Sequence, residues 1–293
     1  MAEKPFMFER FTNRLILEGT LTATTALRVG TGRATEPVGT DLPVIKDTRG
    51  YPFIPGSSLK GVLRNRVEQF VRAVVPGRQG ACLPTGQDLE RCLPANDVRD
   101  TEGQVIVEGI STLKRRAGDE RWSDEVLTKE IWERSCLVCR TFGSPWLASK
   151  VQVRDLPVDG ETWFGQFQVR DGVAIDRDTG RAAERFLYDY EVVPAGTSFK
   201  LHIVVENAED WQLGMLFVAL RELENGHLAL GGATSRGLGE AKLAITNAEW
   251  IEREGLLAYL RTGTGEVLDE EKLREKRVGW QKAFVDLLEK KGG

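Results

Sequence analysis

The sequence predicts an α+β fold, and three observations carry that prediction. From Asn13 onward, Leu15, Leu17, Gly19 and Leu21 alternate with polar residues, the period of a half-buried strand. From Ser57, the residues Leu59, Val62, Leu63, Val67, Phe70, Val71 and Val74 recur at steps of three and four, the period of an amphipathic helix. Strand-like alternation returns after residue 150 and is followed by a second helical stretch, "EDWQLGMLFVALRELENG". The order strand, helix, strands, helix, strand is that of a ferredoxin-like sandwich with insertions.

Each element has its own signals. The first strand runs into glycines and so into a loop. The first helix is expected over 57–75 behind a Ser cap. Lys60 and Arg64 stand one turn apart near its positive dipole end, where a phosphate is favoured. From 76 to 144 the pattern breaks into Pro, Gly, charges and all four cysteines, with one expected helix in "SDEVLTKEIWERSC". This stretch reads as an insertion without a rich core of its own. A long hairpin is expected over 169–193, turning at "DRDTG" and carrying Arg170, Arg177, Arg181 and Arg185. "HLALGGATSRGLGEAKLAITNAEW" reads as a glycine loop between two strands, and "DEEKLREKRVGWQKAFVDLLEKK" as a charged terminal helix. The predicted division is therefore a core from 1–75 and 145–250, an insertion over 76–144 and a helical extension over 251–293.

Composition limits the function classes. Of 293 residues, 41% are hydrophobic and 29% charged, as in ordinary globular proteins, and no apolar run approaches the ~20 residues of a membrane span. The N-terminal run has no apolar region of signal-peptide type, so a cytoplasmic protein without membrane contact is expected. The net charge of −4 argues against bulk attraction to polyanions. Between Arg28 and Arg72, however, eight cations face four acids, and an anion site is expected there.

Among chemistry-bearing residues, Cys82, Cys92, Cys136 and Cys139 include one C-x-x-C pair. Four thiolates can close a structural zinc site with no open position; four separate buried thiols are the alternative. His202 and His227 lie in strand-like apolar settings and read as packed. No nucleophile elbow, H-E-x-x-H or Ser/His/Asp arrangement appears, so chemistry has to run on carboxylates or metals. The loop "LGGATSRGLGEA" ends on a strand and lacks G-K-[ST], which excludes a nucleotide phosphate loop. It is either a flexible hairpin turn or a place where amides and Arg236 meet phosphates. Asp41, with Arg33, Lys46 and Arg49 near it in sequence, is either a structural ion pair or a carboxylate that activates a 2′-hydroxyl or holds Mg²⁺.

Taken together and in this order, "GTDLPVIKD", "FIPGSSLKGVLR", "DGVAIDRDTGRA", "YEVVPAGTSF" and "LGGATSRGLGEA" resemble the RAMP superfamily, and within it the RNA-cleaving backbone subunit of type III CRISPR effector complexes. The resemblance implies an RRM-like (ferredoxin-like) palm, a protruding β-hairpin thumb over about 169–193 with its tip at 176–180, and a cysteine-bearing insertion. It implies partners as well: CRISPR guide RNA, target RNA, other effector subunits and copies of the chain itself. By position, it implies target cleavage at Asp41 with Mg²⁺ or a similar divalent ion. Guide-RNA contacts would fall on Gly30, Gly32, Arg33, Lys46, Arg49, Ser57, Ser58, Lys60, Arg64, Gly231, Gly232, Ser235 and Arg236, and structural Zn²⁺ on the four cysteines. Some paralogues of such complexes only hold RNA, which leaves a non-cleaving structural subunit as the alternative function.

Overall fold

The computed structural model describes residues 8–30, 40–175 and 177–292. Gly32, Arg33 and, at the expected thumb tip, Asp176 lie outside the described residues. In chain order the elements are β1 (Asn13–Ala23), β2 (Phe53–Ile54), α1 (Gly56–Val74), β3 (Val98–Arg99), β4 (Val105–Val107), α2 (Ile110–Asp119), α3 (Asp124–Arg134), α4 (Leu137–Phe142), β5 (Val151–Val153) and β6 (Leu156–Pro157). They continue with β7 (Gln168–Ile175), β8 (Ala182–Val192), β9 (Ser198–Glu206), α5 (Asp210–Glu224), β10 (Ala241–Glu252), α6 (Leu256–Thr262), β11 (Glu266–Val267) and α7 (Glu270–Gly292). The fold is thus mixed α and β, as expected.

Its centre is a five-stranded sheet in the order β11-β10-β1-β9-β5, antiparallel at every pairing. The alternation read in β1 works as a strand pattern should: Leu15, Leu17 and Leu21 are buried, and they share one core with Leu59, Leu63 and Val67 of α1 and Leu213, Phe217 and Leu220 of α5. Each buried leucine of this kind contributes about 1.5–3 kcal/mol relative to exposure. Helix α7 lies on α5, where the Trp280 ring stacks on Phe217 at 5.5 Å. Strands β7 and β8 form a separate two-stranded ribbon outside the sheet.

Four sequence expectations change. Helix α1 has no Ser cap: it begins at Gly56, and the Gly56 N–H donates to Asp155 Oδ1 at 2.8 Å, so a carboxylate ninety-nine residues away does the capping. The 76–144 stretch forms α2, α3 and α4, not one helix, and Leu93, Leu113, Trp132, Val138 and Phe142 belong to the main core. Its helices are short: α2 and α3 pack on each other, and α4 packs on α1. On the N-terminal side of the glycine loop there is no strand, only bridges from Ala229 to Glu240 and from Gly231 to Arg28. His227 is not packed; its side chain is 62% exposed beside Glu222, while His202 sits half-buried beside Glu18. Among the described residues, no helix is long and apolar enough to cross a membrane.

Candidate nucleic-acid interface and metal centre

Four chain segments meet at the foot of the β7–β8 ribbon. Past β1, Leu27 exchanges backbone hydrogen bonds with Val193 at 2.8 and 2.9 Å, Arg28 bridges Gly231, and Gly30 bridges Val44. The 40–46 loop lies along β8. Leu42 bridges Tyr190, and Glu191 accepts from the Val44 N–H at 3.1 Å and from Lys46 Nζ at 3.0 Å.

Asp41 is exposed at this junction. Its N–H donates to Asp189 Oδ1 at 2.6 Å, and its own Oδ2 accepts from the Asp189 N–H at 3.2 Å. The cations near it in sequence are engaged with other acids: Lys46 with Glu191, and Arg49 with Asp47.

The glycine loop is docked, not free. The Gly232 N–H donates to the Arg28 carbonyl at 2.8 Å. Gly231 has φ +79°, and a Cβ there would lie 2.1 Å from that same carbonyl, so only glycine fits. Above it the Arg28 guanidinium lies over the Tyr190 ring at 5.6 Å. Its Nε is buried without a hydrogen-bond partner, and no carboxylate pairs with it among the described residues. Arg236, exposed beside Ser235 in a short 3₁₀ turn, donates to Tyr188 Oη at 2.5 Å. The Tyr188 ring crosses the opposite strand at Gly172, where a Cβ would meet it at 2.2 Å. Arg28, Tyr188, Asp189 and Tyr190 were not singled out from sequence. The only available signal was an aromatic-acid-aromatic run in one strand, which is common on exposed ribbons.

The expected local excess of positive charge is largely paired in the fold. Glu191 takes Lys46, Glu222 takes Arg66, and Glu68 takes both Arg64 and Arg72. Glu191 and Glu222, distant in sequence, neutralise part of what counting along the chain left positive, while Glu68 belongs to the run and pairs at helical spacing. Arg28 and Lys60 are the members of that run without an acidic partner among the described residues.

Lys60, Arg64 and Ser57 line a cavity of about 600 Å³ between α1 and the 143–149 loop, while Ser58 is half-buried in the first turn of α1. Lys60 Nζ donates to Ser149 Oγ at 2.8 Å, and burial, then the neighbouring Arg64, lower its pKa. Arg64 reaches the other way: it donates to Glu68 at 2.8 Å, to the Gly143 carbonyl at 2.9 Å and to Cys139 Sγ at 3.3 Å.

That last contact leads to the cysteines. All four are buried, and their Sγ atoms lie within 4.8 Å of one another, with Cys82 and Cys139 3.6 Å apart. Sulfurs about 2.3 Å from a tetrahedral zinc ion stand about 3.8 Å from each other, so the cluster fits that ion closely. Cys136 caps α4 through its Sγ, which accepts from the Cys139 N–H at 3.4 Å. Hydrogen bonds from Cys139, then Cys82 and Cys92, pull the Cys136 thiol far below its ordinary range, and that thiolate pushes Cys139 and Cys92 up. Four buried sulfurs at such spacing, one of them already favoured as thiolate, suit a divalent cation that would deprotonate the others on binding. Among the described residues this is the one cluster of three or more such groups close enough to share an ion.

The sequence matches the RAMP superfamily over residues 20–242, which takes in the end of β1, α1, the ribbon and the glycine loop. The chain belongs to the RAMP superfamily. Two curated relatives carry the name CRISPR system Cms endoribonuclease Csm3. The protein of Methanocaldococcus jannaschii is 26% identical over 233 residues, covering 78% of each chain. That of Methanothermobacter thermautotrophicus is 26% identical over 288 residues, covering 88% of this chain and 93% of its own. All four segments that meet at the foot of the ribbon fall within the matched RAMP region.

Proposed function

We propose that this RAMP protein is a backbone subunit of a type III CRISPR effector complex, which holds guide RNA alongside further copies of itself and cuts the complementary target RNA at Asp41. The observation that carries this is the junction at the ribbon's foot. An exposed carboxylate stands there beside a docked glycine loop, two tyrosines and two arginines, neither of which pairs with a carboxylate among the described residues. Backbone amides, cations and aromatic faces are the groups that hold a ribose-phosphate chain. The names of the two archaeal relatives support the same reading.

In this reading, 1–75 and 145–250 form the RRM-like palm. Support comes from the order β10-β1-β9-β5 with α1 and α5 packed into one core. The ribbon over about 169–193 is the thumb, 76–144 the zinc-bearing insertion and 251–293 a helical extension. Guide-RNA contacts are assigned to Gly30, Gly32, Arg33, Lys46, Arg49, Ser57, Ser58, Lys60, Arg64, Gly231, Gly232, Ser235 and Arg236, to which Arg28 is added. Zn²⁺ on Cys82, Cys92, Cys136 and Cys139 is structural, because four sulfurs leave no open position.

For cleavage, the Asp41 carboxylate accepts the proton of a target 2′-hydroxyl. The freed oxygen attacks the adjacent phosphorus in line to form a 2′,3′-cyclic phosphate, and the 5′-oxygen leaves with a proton taken from water. Asp41 Oδ1 takes no hydrogen bond among the described residues, which fits Mg²⁺, an ion that takes one or two carboxylates and fills its shell with water and substrate phosphates. When bound, the ion supplies charge neutralisation at the phosphate.

The test is a reconstituted complex carrying Asp41→Ala, offered a complementary RNA with and without Mg²⁺. Assembly and target binding are retained and cutting is lost; cutting at the wild-type rate refutes the assignment. One observation favours a non-cleaving, purely structural subunit: Asp41 already has a local role in tying its loop to β8. A wild-type complex that binds target without divalent-dependent cutting establishes that second reading.

A further inference from the structure

Three consecutive residues of β8 each hold one part of the 40–46 loop: Asp189 holds Asp41, Tyr190 bridges Leu42, and Glu191 holds Val44 and Lys46. Further along, the loop also rests on the chain after β1, through the Gly30–Val44 bridge and the Ile45 N–H to Val29 carbonyl bond at 2.9 Å. Asp41 has no such second support among the described residues; both of its hydrogen bonds go to Asp189. They are reciprocal, each residue's N–H donating to the other's carboxylate. The pair fixes the Asp41 main chain and occupies one of its two carboxylate oxygens, leaving the other directed by that constraint. A carboxylate that must meet a reacting hydroxyl gains from such fixing, because small misplacements at a reacting centre are costly.

We propose that Asp189 is a positioning residue for target cleavage: its carboxylate holds the Asp41 main chain to β8, so the ribbon sets the aim of the cutting carboxylate. This rests on the reading of Asp41 as the cutting residue. The role needs an acceptor oxygen at residue 189 and not its negative charge, which separates it from action as a second acid. Asparagine keeps an acceptor oxygen in place of the carboxylate; alanine does not.

The experiment compares reconstituted complexes bearing wild-type chain, Asp189→Ala, Asp189→Asn and Asp41→Ala, all cutting one complementary RNA at saturating concentration, with target affinity measured in parallel. Asp189→Ala is expected to cut about 10- to 100-fold more slowly, with unchanged assembly and target affinity. Asp189→Asn is expected to restore cutting to within about threefold of wild type, since the acceptor that orients Asp41 is retained. Three results overturn the proposal: Asp189→Ala cutting at the wild-type rate, Asp189→Asn as slow as Asp189→Ala, or a loss of target affinity that accounts for the slower cutting. An inactive Asp41→Ala complex beside a fully active Asp189→Ala complex removes this inference alone. A cutting Asp41→Ala complex removes the assignment of Asp41 and the inference with it.

Discussion

Replacing Cys82 with alanine removes one corner of the cysteine centre without touching α4, which Cys136 caps. Cys82 and Cys139 stand 57 residues apart in sequence with their sulfurs 3.6 Å apart, so a shared ion closes a loop of that length. Treated as a cross-link, that closure lowers the entropy of the unfolded chain enough to stabilise the fold by roughly 4 kcal/mol. In a protein of this size a loss of that order lowers Tm by roughly 6 °C. Elemental analysis of reduced wild-type protein should find about one zinc per chain, and the Cys82→Ala protein should carry essentially none. In scanning calorimetry a strong chelator should bring the wild-type transition down to that of the variant and leave the variant where it is. The reasoning fails if reduced wild-type protein holds no zinc, if Cys82→Ala still holds a full equivalent, or if chelation moves neither transition.

Arg28→Ala should weaken guide-RNA binding and lower the slope of log K against log salt by about one, as loss of one phosphate contact does; an unchanged slope removes Arg28 from the interface. Lys150 is fully buried, with the Phe8 and Trp132 rings at 4.7 and 5.6 Å. Burial lowers its pKa to about 8, a fall that Glu209 and Glu9 partly offset. Between about pH 8 and the ordinary lysine value near 10.4, the unfolded chain keeps a proton that the folded chain has released, so this residue makes stability rise with pH across that window. Relative to Lys150→Met, the wild-type protein should gain about 2 kcal/mol from pH 7.5 to pH 10. A flat difference in denaturant titrations over that range sinks the account.

Local patterns were enough for the elements that bury one face against one partner. The 2.0 period of Leu15, Leu17 and Leu21 and the 3.6 period of Leu59, Leu63 and Val67 appear as β1 and α1 because each element's core face is written in its own residues. Within the run "DRDTG", residues 177–180 likewise mark where the chain folds back between β7 and β8. Over 76–144 the same method found α3 and missed α2 and α4. Helix α4, six residues long, is too short to show a period and packs on α1, whereas α2 carries Ile110, Leu113 and Ala117 at helical steps inside a run of charged residues.

By itself the sequence determined the strand-helix alternation, the ribbon, the family resemblance and the donor chemistry of four cysteines, since all of these depend on residue type and short spacing. Only the tertiary structure decided which charges remain free and which side chains meet. It brought Glu191 and Glu222 onto cations that looked unpaired, set Asp155 at the start of α1, joined Asp189 to Asp41 and gathered Cys82 and Cys92 with Cys136 and Cys139. Coulombic and hydrogen-bond partners act over a few ångströms of space, whatever their separation along the chain, and the path that brings them together is set by the packing of the whole core.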